Sequence, residues 1–243
     1  MKGVKQMKKA IVLSSGGVDS TTCIAWAIEH YGKENIALLS IYYGQRHAKE
    51  LEAAKAIAAF YGLEDKKYEF DLSTIFANNK SCPLLQQSTN KVPEKSYAEQ
   101  MAEGPARVST YVPFRNGLML SVAASYADSL WPGEEVSIIY GAHADDVSVA
   151  AYADCSIAFV NAMSKAISEG TYNKIKVVAP FVESTKAGVI RYGLSQGVPY
   201  QLTWSCYAGH DKACGKCGTC IDRKEAFRAN GVEDPIEYEQ PDT

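Results

Sequence analysis

The sequence predicts an α/β fold in which a parallel sheet carries helices on both faces. Short apolar runs rich in β-branched residues alternate with helix-patterned segments, and this alternation is typical of parallel sheets. The first apolar run leads through glycines directly into a helix pattern. The chain has 243 residues, of which 47% are hydrophobic, as expected for one domain with a substantial core.

Five strands are predicted, most of them from short apolar runs, and the third from a weaker pattern. They cover residues 9–13, 35–43, 68–72, 136–140 and 176–179. Helices are predicted where apolar or small residues recur at helical spacing. They cover residues 20–31, 50–61, 116–130, 156–168, 185–193 and 221–229. Residues 73–109 show little periodicity and are expected to form a long irregular connection.

The segment between the first strand and the first helix predicts a phosphate-binding loop. It reads Ser15-Gly16-Gly17-Val18-Asp19-Ser20. Glycines let backbone N–H groups approach an anion, and the helix N-terminus adds about half a positive charge. Both serine hydroxyls can donate to phosphate oxygens, whereas the carboxylate suits Mg²⁺ or loop orientation. The alternative is a strand-to-helix turn that binds nothing.

This loop lacks the Gly-Lys-Ser/Thr ending of a Walker A sequence. The residues predicted to bind nucleotide are Ser14, Ser15, Gly16, Gly17, Val18, Asp19, Ser20, Thr21 and Thr22.

A cysteine cluster near the C-terminus predicts a metal site. Cys206, Cys214, Cys217 and Cys220 are spaced C-x7-C-x2-C-x2-C, and Gly215 and Gly218 are expected to allow tight turns between them. Four thiolates suit one closed, structural Zn²⁺ site per chain. An iron–sulfur cluster and a redox dithiol are the alternatives. We therefore expect a single domain, residues 1–243, whose segment 203–243 binds zinc.

The other cysteines give weaker signals. Cys23 falls on the apolar face of the first helix and is assigned to the core, and Cys82 is treated as incidental. Cys155 is either a buried structural thiol or a functional one, and both interpretations stay open.

Charge and hydropathy exclude several classes of protein. The net charge is −3 and the pI is near 5.9, which gives no support for nonspecific nucleic-acid binding through clustered Lys and Arg. The first apolar stretch is too short for a signal peptide, and no run approaches the roughly 20 apolar residues that span a bilayer. We expect a cytoplasmic protein with small-molecule partners, without a membrane or direct nucleic-acid partner. Cysteines in that compartment favour metal binding or catalysis over disulfides.

The loop and the cysteines together resemble the 7-cyano-7-deazaguanine synthase (QueC) family, within the PP-loop group of N-type ATP pyrophosphatases. The similarity covers nearly the whole chain. The other matching segments are 43–47, 112–116, 141–146, 154–155, 185–186 and 203–207. The loop alone indicates only the superfamily, while the cysteine spacing is more specific. The family usually has proline before Asp154-Cys155, where this chain has Ala153.

The resemblance implies a PP-loop (HUP-like) fold and a reaction that uses ATP with Mg²⁺. The family converts 7-carboxy-7-deazaguanine and ammonia into the nitrile preQ0 through adenylated intermediates, with AMP and pyrophosphate expected as products. It also implies a homodimer. Two alternatives stay open: a related ligase that joins the adenylated carboxylate to another amine, and a zinc-containing tRNA-modifying or RNA-binding protein with the same loop.

Candidate catalytic residues follow from the matching segments. Besides Asp19, we expect Arg115 and Lys186 to neutralise phosphate or carboxylate charge, with surface ion pairs as the alternative. His47 is a candidate proton carrier, or else structural. Asp145 and Asp146 are expected to face Mg²⁺ or the purine-like edge, with one of the two acting only as a helix cap. Gly141 is expected to let the nucleotide approach closely, or to form a simple turn.

Overall fold

The computed structural model describes residues 8–104, 107–145 and 151–239, and the predicted parallel sheet is confirmed in them. Its strands are β1 (Lys9–Leu13), β2 (Ile36–Tyr42), β3 (Lys67–Asp71), β4 (Val136–Ile139) and β5 (Ile175–Val178). All neighbours pair in parallel, in the order β3-β2-β1-β4-β5.

The described residues contain the six predicted helices, close to their predicted positions, and two short helices within the connection 73–109. They are α1 (Val18–Tyr31), α2 (Lys49–Tyr61), α3 (Ser73–Phe76), α4 (Tyr97–Ala102), α5 (Arg115–Leu130), α6 (Ile157–Gly170), α7 (Lys186–Ser195) and α8 (Gly218–Arg228). Among the described residues, none of these helices combines the length and apolar character needed to cross a membrane.

Two predicted helix starts and one predicted connection were wrong. Helix α8 begins at Gly218 rather than at Ile221. Helix α1 begins at Val18 rather than at Ser20, because Gly17 is extended and acts as the N-cap residue. The connection 73–109 is not wholly irregular, since it contains α3 and α4. Helix α4 begins with a capping box, in which Ser96 and Glu99 each bond to the other's backbone N–H.

Alternate residues of the strands build two core layers. Ile11 and Leu39 pack on the face covered by α5 and α6. Val12 and Leu38 point the other way, towards α1, α2 and α7, because successive strand side chains point to opposite faces. Cys23 is fully buried in this second layer, as predicted. Helices therefore cover both faces of the sheet.

The order of the strands indicates a crevice at the carboxyl ends of β1 and β4. From β1 the chain proceeds outward through β2 and β3, and it later returns to the other side of β1 with β4 and β5. The connections leaving β1 and β4 thus diverge at the carboxyl ends of these neighbouring strands. Open parallel sheets bind ligands at this kind of switch point. The phosphate loop follows β1, and Gly141 follows β4.

Candidate active site and metal centre

The loop after β1 has a geometry that only glycine permits at its second position. Gly16 has φ +86°, and a Cβ there would lie 2.2 Å from the carbonyl oxygen of Glu50 in α2. The loop is therefore pressed against the first turn of α2. Its two serine hydroxyls are neighbours, with Ser15 Oγ and Ser20 Oγ 3.0 Å apart. Both residues line a cavity at the crevice.

The predicted nucleotide-binding residues divide into lining and supporting positions. Ser14, Ser15, Gly17, Val18, Asp19 and Ser20 line the cavity. The hydroxyl of Thr21 donates to Gly17 O at 2.7 Å, and that of Thr22 donates to Val18 O at 2.9 Å. Both threonines are fully buried and outside the lining, so they stabilise the start of α1 from behind. Gly16 is likewise behind the surface of the cavity.

A charged cluster lies beside the loop. Lys186 Nζ donates to Asp19 Oδ2 at 2.8 Å, and His143 Nε2 is 3.8 Å from the same oxygen. Burial alone would raise the pKa of Asp19, but Lys186 and then His143 outweigh it, so the pKa lies below its usual value. Asp19 is therefore ionised at neutral pH. Lys186 is only 8% exposed, which excludes the surface ion pair for this residue.

Asp145 and Gly141 hold this cluster in place. The backbone N–H of Lys186 donates to Asp145 Oδ2 at 2.7 Å, so Asp145 binds the N-terminus of α7. A Cβ on Gly141 would lie 3.2 Å from backbone atoms of both Asp19 and Ser20. The close approach at Gly141 is therefore made to α1. Asp146 lies outside the described residues.

The opposite wall of the cavity is aromatic and contains Arg115. The guanidinium of Arg115 lies 5.3 Å from the ring centroid of Tyr43. Burial would lower the pKa of Arg115, but the hydroxyls of Tyr43 and Tyr207 oppose this and raise it above its usual value. The Tyr97 and Tyr207 hydroxyls are 3.0 Å apart, and Tyr152 packs edge-on against Tyr97. This part of the lining therefore places aromatic rings and hydroxyl groups beside a fixed positive charge.

Asn116 and Tyr140 fix the segment that contains Cys155. The backbone N–H of Asn116 donates to Asp154 Oδ2 at 3.2 Å, and the Tyr140 hydroxyl donates to Asp154 O at 2.7 Å. Tyr140 Oη also lies 3.4 Å from Cys155 Sγ. Cys155 is 6% exposed and lines the cavity, so its thiol faces the site from a fixed position.

His47 lies elsewhere. Its ring packs against the cysteine segment, where a Cβ on Gly209 would be 2.7 Å from His47 Cδ2. Burial lowers its pKa. Among the described residues it is not part of the cavity lining. The structure thus brings Asp19, Asp145 and Lys186 together with Arg115 across the cavity, and leaves His47 against the metal segment.

Sequence reasoning missed other groups that line the cavity, among them Glu50, His143 and Asp222. Burial raises the pKa of Glu50 to about 7, although Arg115 partly opposes the shift. An acidic residue in the first turn of a helix is typical of helix N-termini. The sequence around Glu50 therefore gave no separate signal for a cavity position.

The cysteine cluster forms a compact, buried metal-binding centre. The sulfur atoms of Cys206, Cys214, Cys217 and Cys220 all lie within 4.8 Å of one another. Backbone N–H groups of Cys214 and Cys217 point at sulfurs, at 3.3 and 3.4 Å. Such donors stabilise thiolates.

The two glycines in the cysteine segment act differently. Gly215 has φ +73° and forms a turn, as predicted. The turn expected at Gly218 was wrong. Gly218 begins α8, and a Cβ there would lie 2.9 Å from the Tyr97 ring. Its small size therefore serves close packing.

The cysteine segment is joined directly to the phosphate loop. The backbone N–H of Trp204 donates to Gly16 O at 2.9 Å. Arg223, which is fully buried, bonds to Asp234 at 2.6 and 2.9 Å and to Thr203 Oγ1 at 2.7 Å. Hydrogen bonds therefore join the segment that contains the cysteines to the loop that lines the cavity.

The fold and the two sites define a PP-loop-like protein with a cysteine metal centre. The family model described as "Queuosine biosynthesis protein QueC" matches residues 9–231, and the chain belongs to this family.

The similarity to known 7-cyano-7-deazaguanine synthases covers nearly the whole chain. The 7-cyano-7-deazaguanine synthase of Caldicellulosiruptor saccharolyticus is 41% identical over 95% of this chain and 96% of its own length. That of Archaeoglobus fulgidus is 40% identical over 94% of this chain and 89% of its own. The NH3-dependent NAD synthetase of Campylobacter jejuni has a TM-score of 0.45 and 14% identity, over 83% of this chain and 69% of that one.

Proposed function

We propose that this protein converts 7-carboxy-7-deazaguanine and ammonia into 7-cyano-7-deazaguanine, using ATP and releasing AMP and pyrophosphate. Relatives that carry the name 7-cyano-7-deazaguanine synthase support the product. The observation that carries the chemistry is the Ser-Gly-Gly loop at the switch point, with Asp19 and Lys186 beside it.

Two activations account for the reaction. A carboxylate is a poor electrophile, and transfer of AMP to one of its oxygens supplies a good leaving group. Ammonia displaces that AMP and forms an amide. A second AMP transfer, to the amide oxygen, allows loss of AMP and formation of the nitrile. Both transfers need the same phosphate site.

Residues on the two sides of the cavity have complementary tasks in this proposal. The phosphate loop and the ammonium group of Lys186 hold the anionic end of ATP and stabilise charge that develops on pyrophosphate. Arg115, on the opposite wall, is suited to hold the substrate carboxylate. The tyrosine rings around Arg115 offer aromatic faces and edges against which a purine-like ring can pack.

Asp19 fits a role near Mg²⁺. Its Oδ2 is occupied by Lys186, but its Oδ1 is buried and accepts no hydrogen bond from the described residues. A carboxylate oxygen in that position suits a hard divalent cation. Bound Mg²⁺ would neutralise phosphate charge, and the Asp19–Lys186 pair would keep this oxygen oriented.

The cysteine centre fits zinc in a structural role. Four mutually close, buried sulfurs leave no position for water, which is the arrangement of structural Zn²⁺ sites. The metal would fix residues 203–207, and thereby the positions of Trp204 and Tyr207 in the cavity wall. The homodimer remains a prediction from the family resemblance.

Mass spectrometry of the product tests this proposal. The unmutated protein is supplied with 7-carboxy-7-deazaguanine, ATP and Mg²⁺, with ammonia as the sole amine. We expect the nitrile, and none in the matched reaction without ammonia. An amide as the end product would contradict the second activation. A product formed only with a larger amine would favour the alternative ligase.

A further inference from the structure

The cavity lining contains two carboxyl groups, those of Glu50 and Asp222, that the proposed reaction does not use. Glu50 lies in the first turn of α2 and lines the cavity, as the phosphate loop and Arg115 do. Its backbone is fixed by the loop, since a Cβ on Gly16 would touch its carbonyl oxygen at 2.2 Å. The backbone of Glu50 therefore contacts the phosphate loop, and its carboxyl group lies within electrostatic reach of Arg115 and Tyr43.

The geometry points to Glu50 as the catalytic base that takes the proton from ammonium and delivers ammonia to the activated carboxyl group. This inference rests on the proposed function. No hydrogen bond or ion pair connects the Glu50 carboxyl group to another part of the described chain. Its oxygens are thus open to a small cation in the cavity.

The protonation behaviour of Glu50 suits this task. Burial raises its pKa to about 7, and Arg115 of α5 is the charge that opposes this shift. Tyr43 follows β2, and the charge of Glu50 contributes to raising the pKa of the Tyr43 hydroxyl. A base works best when its pKa lies near the working pH, because it can then both accept and release a proton.

Other groups in the cavity are less suited to accept this proton. Asp19 is paired with Lys186, and its pKa is lowered. The pKa values of Tyr97 and Tyr207 are raised, so these hydroxyls keep their protons. His143 Nε2 lies 3.5 Å from Lys186 Nζ, within the charged cluster beside the loop. Asp222, on α8, is the other carboxyl group of the lining that could accept this proton, and Asp222→Asn tests it.

The proton balance requires such a group. Ammonia in neutral water is mostly ammonium, which has no lone pair to attack with. Glu50 accepts one proton, and the nitrogen lone pair then forms the C–N bond while the C–O bond to AMP breaks. A second proton leaves the nitrogen as the neutral amide forms. The first proton passes from Glu50 to water in the open cavity, so the carboxylate is regenerated. The second passes directly to water, because a nitrogen bound to an acyl carbon holds it weakly.

The test separates the ammonia step from AMP transfer. Glu50→Gln keeps the shape of the side chain but cannot accept a proton. Exchange of labelled pyrophosphate into ATP, dependent on 7-carboxy-7-deazaguanine and measured without ammonia, should stay near the wild-type rate. The kcat of amide and nitrile formation from ammonia should fall about 100-fold or more, the range for loss of a general base.

Hydroxylamine supplies the decisive readout. It is largely unprotonated at neutral pH and needs no base before it attacks, so Glu50→Gln should form the hydroxamate at close to the wild-type rate. Glu52→Gln, in the same helix but exposed, is the matched surface control and should resemble wild type in all three assays. Thermal melting checks that each variant is folded.

Several results would overturn the inference. Equal losses with ammonia and hydroxylamine would show that Glu50 does not act on the ammonium proton. An effect confined to the KM of the deazaguanine would assign Glu50 to binding that ring. A selective loss with ammonia in Asp222→Asn, but not in Glu50→Gln, would place the base on α8. If wild-type protein shows neither exchange nor product, the proposed function itself fails.

Discussion

Replacement of Gly16 by alanine should damage both stability and nucleotide binding. At φ +86° an alanine is strained, and its Cβ would lie 2.2 Å from Glu50 O and 2.8 Å from Ala54 N. Both are backbone atoms of α2, which cannot move without displacing the helix. The backbone strain costs about 1–2 kcal/mol and the overlap about 1–3 kcal/mol, against a gain of about 0.4–1 kcal/mol from the less flexible unfolded chain.

The expected net loss in the free energy of unfolding is about 1–5 kcal/mol. Gly133→Ala is the matched control, because Gly133 has φ +78° but nothing within 4 Å of a Cβ. It should lose only about 1 kcal/mol. Urea unfolding measures both values, and calorimetry measures ATP binding, which only Gly16→Ala should weaken. Equal losses in the two variants would refute the contact with α2 as the cause.

Three further perturbations test other parts of the account. Asp19→Asn should lower the free energy of unfolding by about 2–4 kcal/mol at pH 7, because Lys186 stays buried without its partner. Since the pKa of Asp19 is lowered in the folded protein, this contribution is present above the unfolded pKa near 3.8 and is lost as the pH falls further. Cys217→Ser should lose both metal and stability, measured by elemental analysis and thermal unfolding. Ala153→Pro should raise the free energy of unfolding by about 0.5 kcal/mol and retain nitrile formation, because the preceding residue is extended and the Ala153 N–H donates no hydrogen bond within the described chain.

Matched controls sharpen these three predictions. Glu135→Gln breaks an exposed ion pair with Lys8 and should cost less than about 1 kcal/mol. Cys82→Ser changes a buried cysteine outside the cluster and should retain the metal. A pH-independent loss in Asp19→Asn would contradict the role of its charge. Iron with stoichiometric sulfide would contradict zinc, and a less stable Ala153→Pro would show that the backbone there does not accept proline.

Local patterns in the sequence predicted most of the fold. The central strands β1, β2 and β4 are short apolar runs whose alternate residues face two helical layers, so burial and periodicity coincide. The phosphate loop and the cysteine cluster are also contiguous or nearly so. Their residue types and spacing were therefore sufficient to predict where each would lie.

The aromatic wall and Glu50 were not predictable in the same way. Tyr43, Tyr97, Tyr152 and Tyr207 are far apart in sequence and meet only because four separate segments converge on the crevice. No local spacing encodes that encounter. Likewise, the start of α1 depended on the extended conformation of Gly17, and the small size of Gly218 is explained by Tyr97, a distant residue.

The origin of the oxygen in the released AMP tests the central claim most directly. The substrate 7-carboxy-7-deazaguanine is prepared with a heavy oxygen isotope in both carboxyl positions and incubated with unmutated protein, ATP, Mg²⁺ and ammonia. If AMP is transferred to the carboxyl group and then to the amide, each AMP should carry one heavy oxygen and the pyrophosphate none. Heavy oxygen in inorganic phosphate, with ADP as the nucleotide product, would contradict AMP transfer at the Ser-Gly-Gly loop.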